Sequence, residues 1–150
     1  FLRKKIPAKP GEIVDTRGCV LGQHGGLDTY TIGQRQGIKL AQGGHAWYVV
    51  RKDVDNNRLV VAPAPDHISL FEANVQLRDP RWTRGRAPKF PARVLVQVRY
   101  RQTPTPAILK SGPDIGIFAL GFATPVKAVA PGQSAVFYSG SECLGGGIIL

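Results

Sequence analysis

The sequence has no methionine, only two cysteines and only ten acidic residues among its 150. With no initiator residue ahead of Phe1, the chain reads as a piece of a longer polypeptide. Cys19 and Cys143 are too few for a disulfide framework or a four-ligand zinc site, so no metal centre is expected, and a single bridge between them stays open. Apolar runs are short, none approaching the roughly 20 residues of a membrane span, and no secretory signal opens the chain. A soluble, cytoplasmic protein without membrane contact is expected. Long helices are lacking as well. The 18 glycines and 12 prolines are spaced so that no stretch of ordinary helix length escapes them, which excludes a helical bundle.

The motifs of catalysis are also missing. No G-x-S-x-G, Walker-type or G-x-G-x-x-G pattern occurs. His24, His45 and His67 have no carboxylate or cysteine at triad or ligand spacing and read as solvated loop histidines. Gly145-Gly146-Gly147 has the composition of a phosphate loop but neither its lysine nor its helix, so tight strand packing explains it better. Cys143 reads as a small packed residue in a β context and Cys19 as incidental. No catalytic residue is assigned.

What the chain does have is base and short apolar runs. Twenty Lys and Arg against ten acids give a formal charge of +10, which points to a polyanionic partner. At 43% hydrophobic residues it is no disordered basic tail. Apolar runs and turn residues predict two hairpins, Glu12–Asp15 with Cys19–Gly22, and Ala46–Arg51 with Arg58–Ala62 across an Asp/Asn turn. Between them the seven glycines from Gly22 to Gly44 predict a shaped loop with room for one short helical turn. The prolines of Ala62–Asp66 mark a linker, dividing a central β-rich domain, 1–66, from a second domain, 67–150. Strands are expected there at Ser69–Leu77, Phe90–Arg101, Ala107–Lys110, Gly116–Leu120, Ala128–Ala130, Ser134–Tyr138 and Gly146–Leu150, the spacing of a small sandwich or barrel. The fold class is all-β: a small β module followed by a C-terminal antiparallel barrel.

Charge concentrates between residues 78 and 101, where eight cations face the single acid Asp79. Within it, Arg93–Arg101 alternates with period 2. That sends Val94, Val96, Val98 and Tyr100 to the core and Arg93, Gln97, Arg99 and Arg101 to one outer row. Arginine outnumbers lysine, and its planar fork suits phosphate. One local acid cannot cover eight cations, so nucleic-acid contact is expected. Trp82, between Arg81 and Arg84, could equally stack on a base or close the barrel end.

Several segments carry a resemblance. They are Gly11–Asp15, Gly22–Gly26, Tyr30–Gly37, Trp47–Val50, Arg99–Gln102, Pro131–Tyr138 and Cys143–Ile149, in that order over nearly the whole chain. Together they resemble the central and C-terminal modules of the tRNA-specific 2-thiouridylase family. The resemblance implies an ATP-dependent sulfurtransferase that replaces the 2-oxygen of a wobble uridine. In that family an S-G-G-x-D-S loop for ATP and both sulfur-handling cysteines belong to a preceding domain. This chain would then be the inactive, tRNA-positioning portion, with no cofactor of its own. ATP and a sulfur-donor protein would serve the parent enzyme. The alternative is a stand-alone β-barrel RNA-binding module. By resemblance Arg99, Tyr100 and Gln133 meet tRNA, while alternation supports Arg99 and opposes Tyr100 unless the strand ends or bulges there. Arg101, Arg84 and Arg35 complete the candidate RNA contacts, although Gln36 stands where the family carries Lys or Arg.

Overall fold

A computed structural model describes residues 9–38, 40, 46–65 and 67–150. His45, and Asp66 where the sequence places its domain boundary, lie outside the described residues. The chain forms two compact units, one ending at Leu70 and the other running from Phe71 to Leu150.

The first unit holds strands β1 (Gly11–Asp15), β2 (Val20–His24), β3 (Tyr48–Asp53) and β4 (Arg58–Ala62) in the order β2-β1-β4-β3. Both hairpins are present. The β1–β2 turn is organised by Asp15, whose carboxylate accepts the backbone N–H groups of Arg17 and Cys19 at 2.9 Å each. The β3–β4 turn is closed by Asp53, which accepts the N–H of Asn56, while Asn57 takes a φ of 52°, the left-handed backbone that asparagine tolerates. The hairpins join through a parallel β1–β4 ladder pairing Ile13 with Leu59 and Val14 with Val60. Ile13, Val49, Leu59 and Val61, all fully buried, form the core of this sheet. The glycine-rich segment contributes a short 3₁₀ turn at Leu27–Thr29. Gly33 and Gln34 lie along the free edge of β3, where the N–H of Gly33 donates to the Val49 carbonyl and the N–H of Val49 donates to the Gln34 carbonyl.

The second unit is a closed barrel of β5 (Phe71–Trp82), β6 (Ala92–Gln97), β7 (Thr105–Ser111), β8 (Phe118–Lys127), β9 (Ser134–Ser139) and β10 (Glu142–Ile149). The order around it is β10-β5-β8-β7-β6-β9, every neighbour antiparallel. Inward residues such as Leu77, Val94, Val96, Leu109, Leu120 and Phe137 fill the interior, as the small diameter of six strands requires.

Two strand expectations change most. Ala128–Ala130 is buried but irregular, because β8 continues from Phe118 as far as Lys127 before turning. Along β5 the register jumps from Glu72–Val126 to Asn74–Gly121, so Pro125 sits in a stretch that the ladder skips and leaves no backbone donor missing. The strand expected over Phe90–Arg101 is only Ala92–Gln97. Val94, Val96 and Val98 point inward as alternation requires, but the strand ends before Tyr100, which is 88% exposed.

Candidate nucleic-acid interface

The turn that ends β6 is built by its own polar groups. The N–H of Gln102 donates to the Arg99 carbonyl at 3.2 Å, and Arg101 takes a φ of 64° at the third turn position, the type II pattern. Gln97 Nε2 donates to the Gln102 carbonyl at 2.7 Å and ties the turn back to the strand end. Arg99 Nη2 donates to the carbonyl of Ala128 at 2.8 Å, linking the turn to the β8–β9 connection. In that connection Gln133 Oε1 accepts the N–H of Ala130 at 3.3 Å, and the Gln133 carbonyl accepts the N–H of Ile149 at 2.8 Å. The C-terminal ends of β6, β8 and β10 and the N-terminal end of β9 therefore meet at one rim. Arg99, Tyr100, Arg101 and Gln133 gather there, with exposed Lys127 at the end of β8.

Arg84 lies elsewhere. It follows β5 at the opposite rim, where its guanidinium pairs with Glu142 at 2.8 Å. Trp82 closes that rim, with ring centroids 5.8 Å from both Phe118 and Phe137 and 6.4 Å from Phe90. Of its two expected roles, the structure gives it the packing one. Arg35 is exposed in the first unit, on the segment that borders β3.

The row expected along Arg93–Arg101 is cut short, because β6 ends at Gln97 and Arg99 and Arg101 belong to the turn that follows. The other cations of the basic stretch lie apart from it: β5, which bears Arg78 and Arg81, is three strands from β6, which bears Arg93, whichever way round the barrel one counts. Nor is the local acid the only cover. Asp79 pairs with Arg78 at 2.6 Å, and Glu142 arrives from 58 residues away to pair with Arg84. A window of local charge cannot show the Glu142 pair or the separation of β5 from β6, since both depend on which strands become neighbours.

Other expectations shift too. Cys143 is exposed at the start of β10 rather than packed, and Cys19 is exposed as well; both are free thiols. Cys143 contributes its carbonyl, which accepts the hydroxyl of Thr83 at 2.8 Å. The glycines after it are packed tightly: a Cβ on Gly145 would collide with the Arg81 carbonyl, and one on Gly146 would stand 2.7 Å from that of Ala135. His24 is buried, not solvated. Its Nδ1 accepts the N–H of Gly26 at 3.1 Å, so Nε2 carries the proton it shares with the Asn57 carbonyl, also at 3.1 Å. Among the described residues no group of three or more His, Cys, Asp and Glu side chains could hold a metal ion. No described helix is long and apolar enough to cross a membrane.

Residues 1–63 match the family described as the tRNA methyl transferase PRC-barrel domain, and residues 72–149 match the aminomethyltransferase beta-barrel domain. Over 153 aligned residues the chain is 44% identical to the tRNA-specific 2-thiouridylase MnmA of Cupriavidus taiwanensis, an alignment covering 99% of this chain and 42% of that protein. Similarity to the enzymes of the same name from Pseudomonas fluorescens (43% identity; 99% and 40% covered) and Francisella philomiragia (42%; 100% and 43%) is comparable. The chain thus spans about two fifths of the length of these curated relatives.

Proposed function

The chain belongs to the tRNA-specific 2-thiouridylase family, and on that premise we propose that it binds and positions tRNA for thiolation of the wobble uridine, the reaction itself being carried out by residues outside these 150. The observation that carries this reading is the convergence of Arg99, Tyr100, Arg101 and Gln133 on one barrel rim. Arginine forks suit phosphate, and a net charge of +10 draws a polyanion toward the chain. Positioning without an activated nucleophile gives binding and no turnover. ATP and a sulfur-donating protein would act on the remainder of the enzyme, in the cytoplasm where tRNA is modified.

The test is a titration of the 150-residue chain with tRNA at several salt concentrations, beside an ATP-dependent thiolation assay. Saturable binding that weakens steeply with salt, without sulfur transfer, is the expected result. Thiolation by the chain alone, or no binding at low salt, would refute the assignment.

A further inference from the structure

We propose that the outer wall of the barrel across β9, β6, β7 and β8 is a docking groove for a partner protein, which enters it with a short segment of apolar side chains carrying a carboxylate. This goes beyond the tRNA reading and does not depend on it.

An antiparallel strand with one face on the core and one in water sends apolar side chains inward and polar ones outward. One patch of this barrel departs from that rule. Val94, Val96, Ala107, Leu109 and Phe137 fill the interior, so their neighbours Leu95, Pro106, Ile108 and Tyr138 face out. The register sets these four side by side. Leu95 pairs with Tyr138 on one flank and with Pro106 on the other, while Ile108 pairs with Gly121 of β8. Gly121 has no side chain and Ala123 a small one, so the wall sinks there. The result is a groove of about 460 Å³, lined by all of these outward residues and by no carboxylate. Ile108 remains 43% exposed in it, and Pro106 and Ala123 are exposed as well.

Arg93 supplies the charge. It lines the same groove and pairs in register with Ile108. Arg78 and Arg84 are held by Asp79 and Glu142. The exposed guanidinium of Arg93, by contrast, has no hydrogen-bond or ion-pair partner among the described residues.

One unpaired cation beside a mostly aliphatic floor selects the occupant. RNA brings a phosphate with every nucleotide and a flat base to stack, which ask for repeated cations and aromatic faces. A second copy would bring a further charge of +10 against the first. A small ligand is held where most of its surface is enclosed, and this groove lies open along a wall. Strand addition needs a free edge, but each strand of the closed barrel already has two neighbours. A protein segment that docks by its side chains meets every condition. Its apolar groups fill the groove, and its carboxylate pairs with Arg93 and fixes the orientation.

The probe is a random dodecapeptide library selected on the 150-residue chain, with fluorescence titration of the enriched peptides. Enriched sequences should join apolar side chains to an Asp or Glu. Ile108→Ser should weaken their binding about tenfold, as loss of an aliphatic anchor does. Arg93→Ala should weaken it about threefold to fivefold, the size of an exposed ion pair. Arg93→Glu should turn the selection toward apolar peptides carrying Lys or Arg. Both residues lie outside the core, and thermal melts check that each variant folds. Failure to enrich any peptide, enrichment of acidic peptides without apolar residues, or binding indifferent to either position would overturn the proposal. Displacement of the peptides by a short oligouridylate would assign the groove to RNA instead. A wild-type dimer in sedimentation that Ile108→Ser dissolves would assign it to a second copy. Either result refutes a partner protein and leaves the tRNA reading of the rim standing.

Discussion

Arg84 and Glu142 form a two-pronged ion pair, Nε to Oε1 at 2.8 Å and Nη2 to Oε2 at 3.0 Å, between residues 58 apart in sequence. The pair joins the end of β5 to the start of β10 at the rim opposite Arg99. It places a carboxylate beside the cation that the sequence offers as an RNA contact. Arg84→Ala should therefore change tRNA affinity by less than about twofold and stability by no more than about 1 kcal/mol, since both partners are largely exposed. A loss as large as that of Arg99→Ala in the same titration would show that this rim also meets RNA.

Arg99→Ala should weaken tRNA binding by about 1–2 kcal/mol, the size of a charge-assisted contact, and reduce the salt slope by about one counterion. Gln133→Ala should cost affinity with little change of slope, because no charge is removed. Titrations at four salt concentrations distinguish the two. An unchanged slope for Arg99→Ala would mean that Arg99 serves only to brace the turn through Ala128.

Asp15 predicts a specific acid sensitivity. The Cys19 N–H bond, and then the N–H and guanidinium of Arg17, hold its carboxyl below the usual carboxylate range against the opposing effect of burial. A depressed folded pKa means that the carboxylate's contribution is complete above the unfolded value of about 3.9 and is lost as pH falls through the lower folded value. Asp15→Asn should lower the melting temperature at pH 7 and flatten its decline below about pH 4. Asp53, held low chiefly by Asn56, supplies the acid sensitivity that remains. Parallel melting curves for wild type and Asp15→Asn at every pH would contradict this assignment.

Gly145→Ala should destabilise the barrel by at least about 2 kcal/mol in chemical denaturation, because its φ of 142° suits glycine and the new Cβ meets the Arg81 carbonyl. Gly140→Ala, with a φ of 57° but nothing within 4 Å, should cost only about 1 kcal/mol. Equal losses would mean that backbone conformation alone, not the close approach of β5 to β10, decides the position.

Exposed Cys143 should tolerate Cys143→Ala within about 0.5 kcal/mol, as surface positions do. A packed residue would lose more, and a denaturation curve tells the two apart.

Local information was enough for the all-β class, the two hairpins and the barrel-like second half. Turn residues, proline spacing and period-2 runs act within a few residues of themselves, as the Val94, Val96 and Val98 alternation shows. Of the rim residues, Tyr100 and Gln133 were legible only as a family resemblance, Arg99 by resemblance and alternation together, and Arg101 by alternation. Tertiary structure decided the rest. The parallel β1–β4 ladder, the separation of Arg78 and Arg81 from Arg93, the Glu142 cover of Arg84 and the burial of His24 all depend on which distant segments become neighbours. The exposure of Tyr100 turns on where β6 stops, and that is set by hydrogen bonds from Gln97 to Gln102 and from Arg99 to Ala128. Periodicity continues until a chain is made to turn, and the partners that turn this one lie partly outside the strand itself.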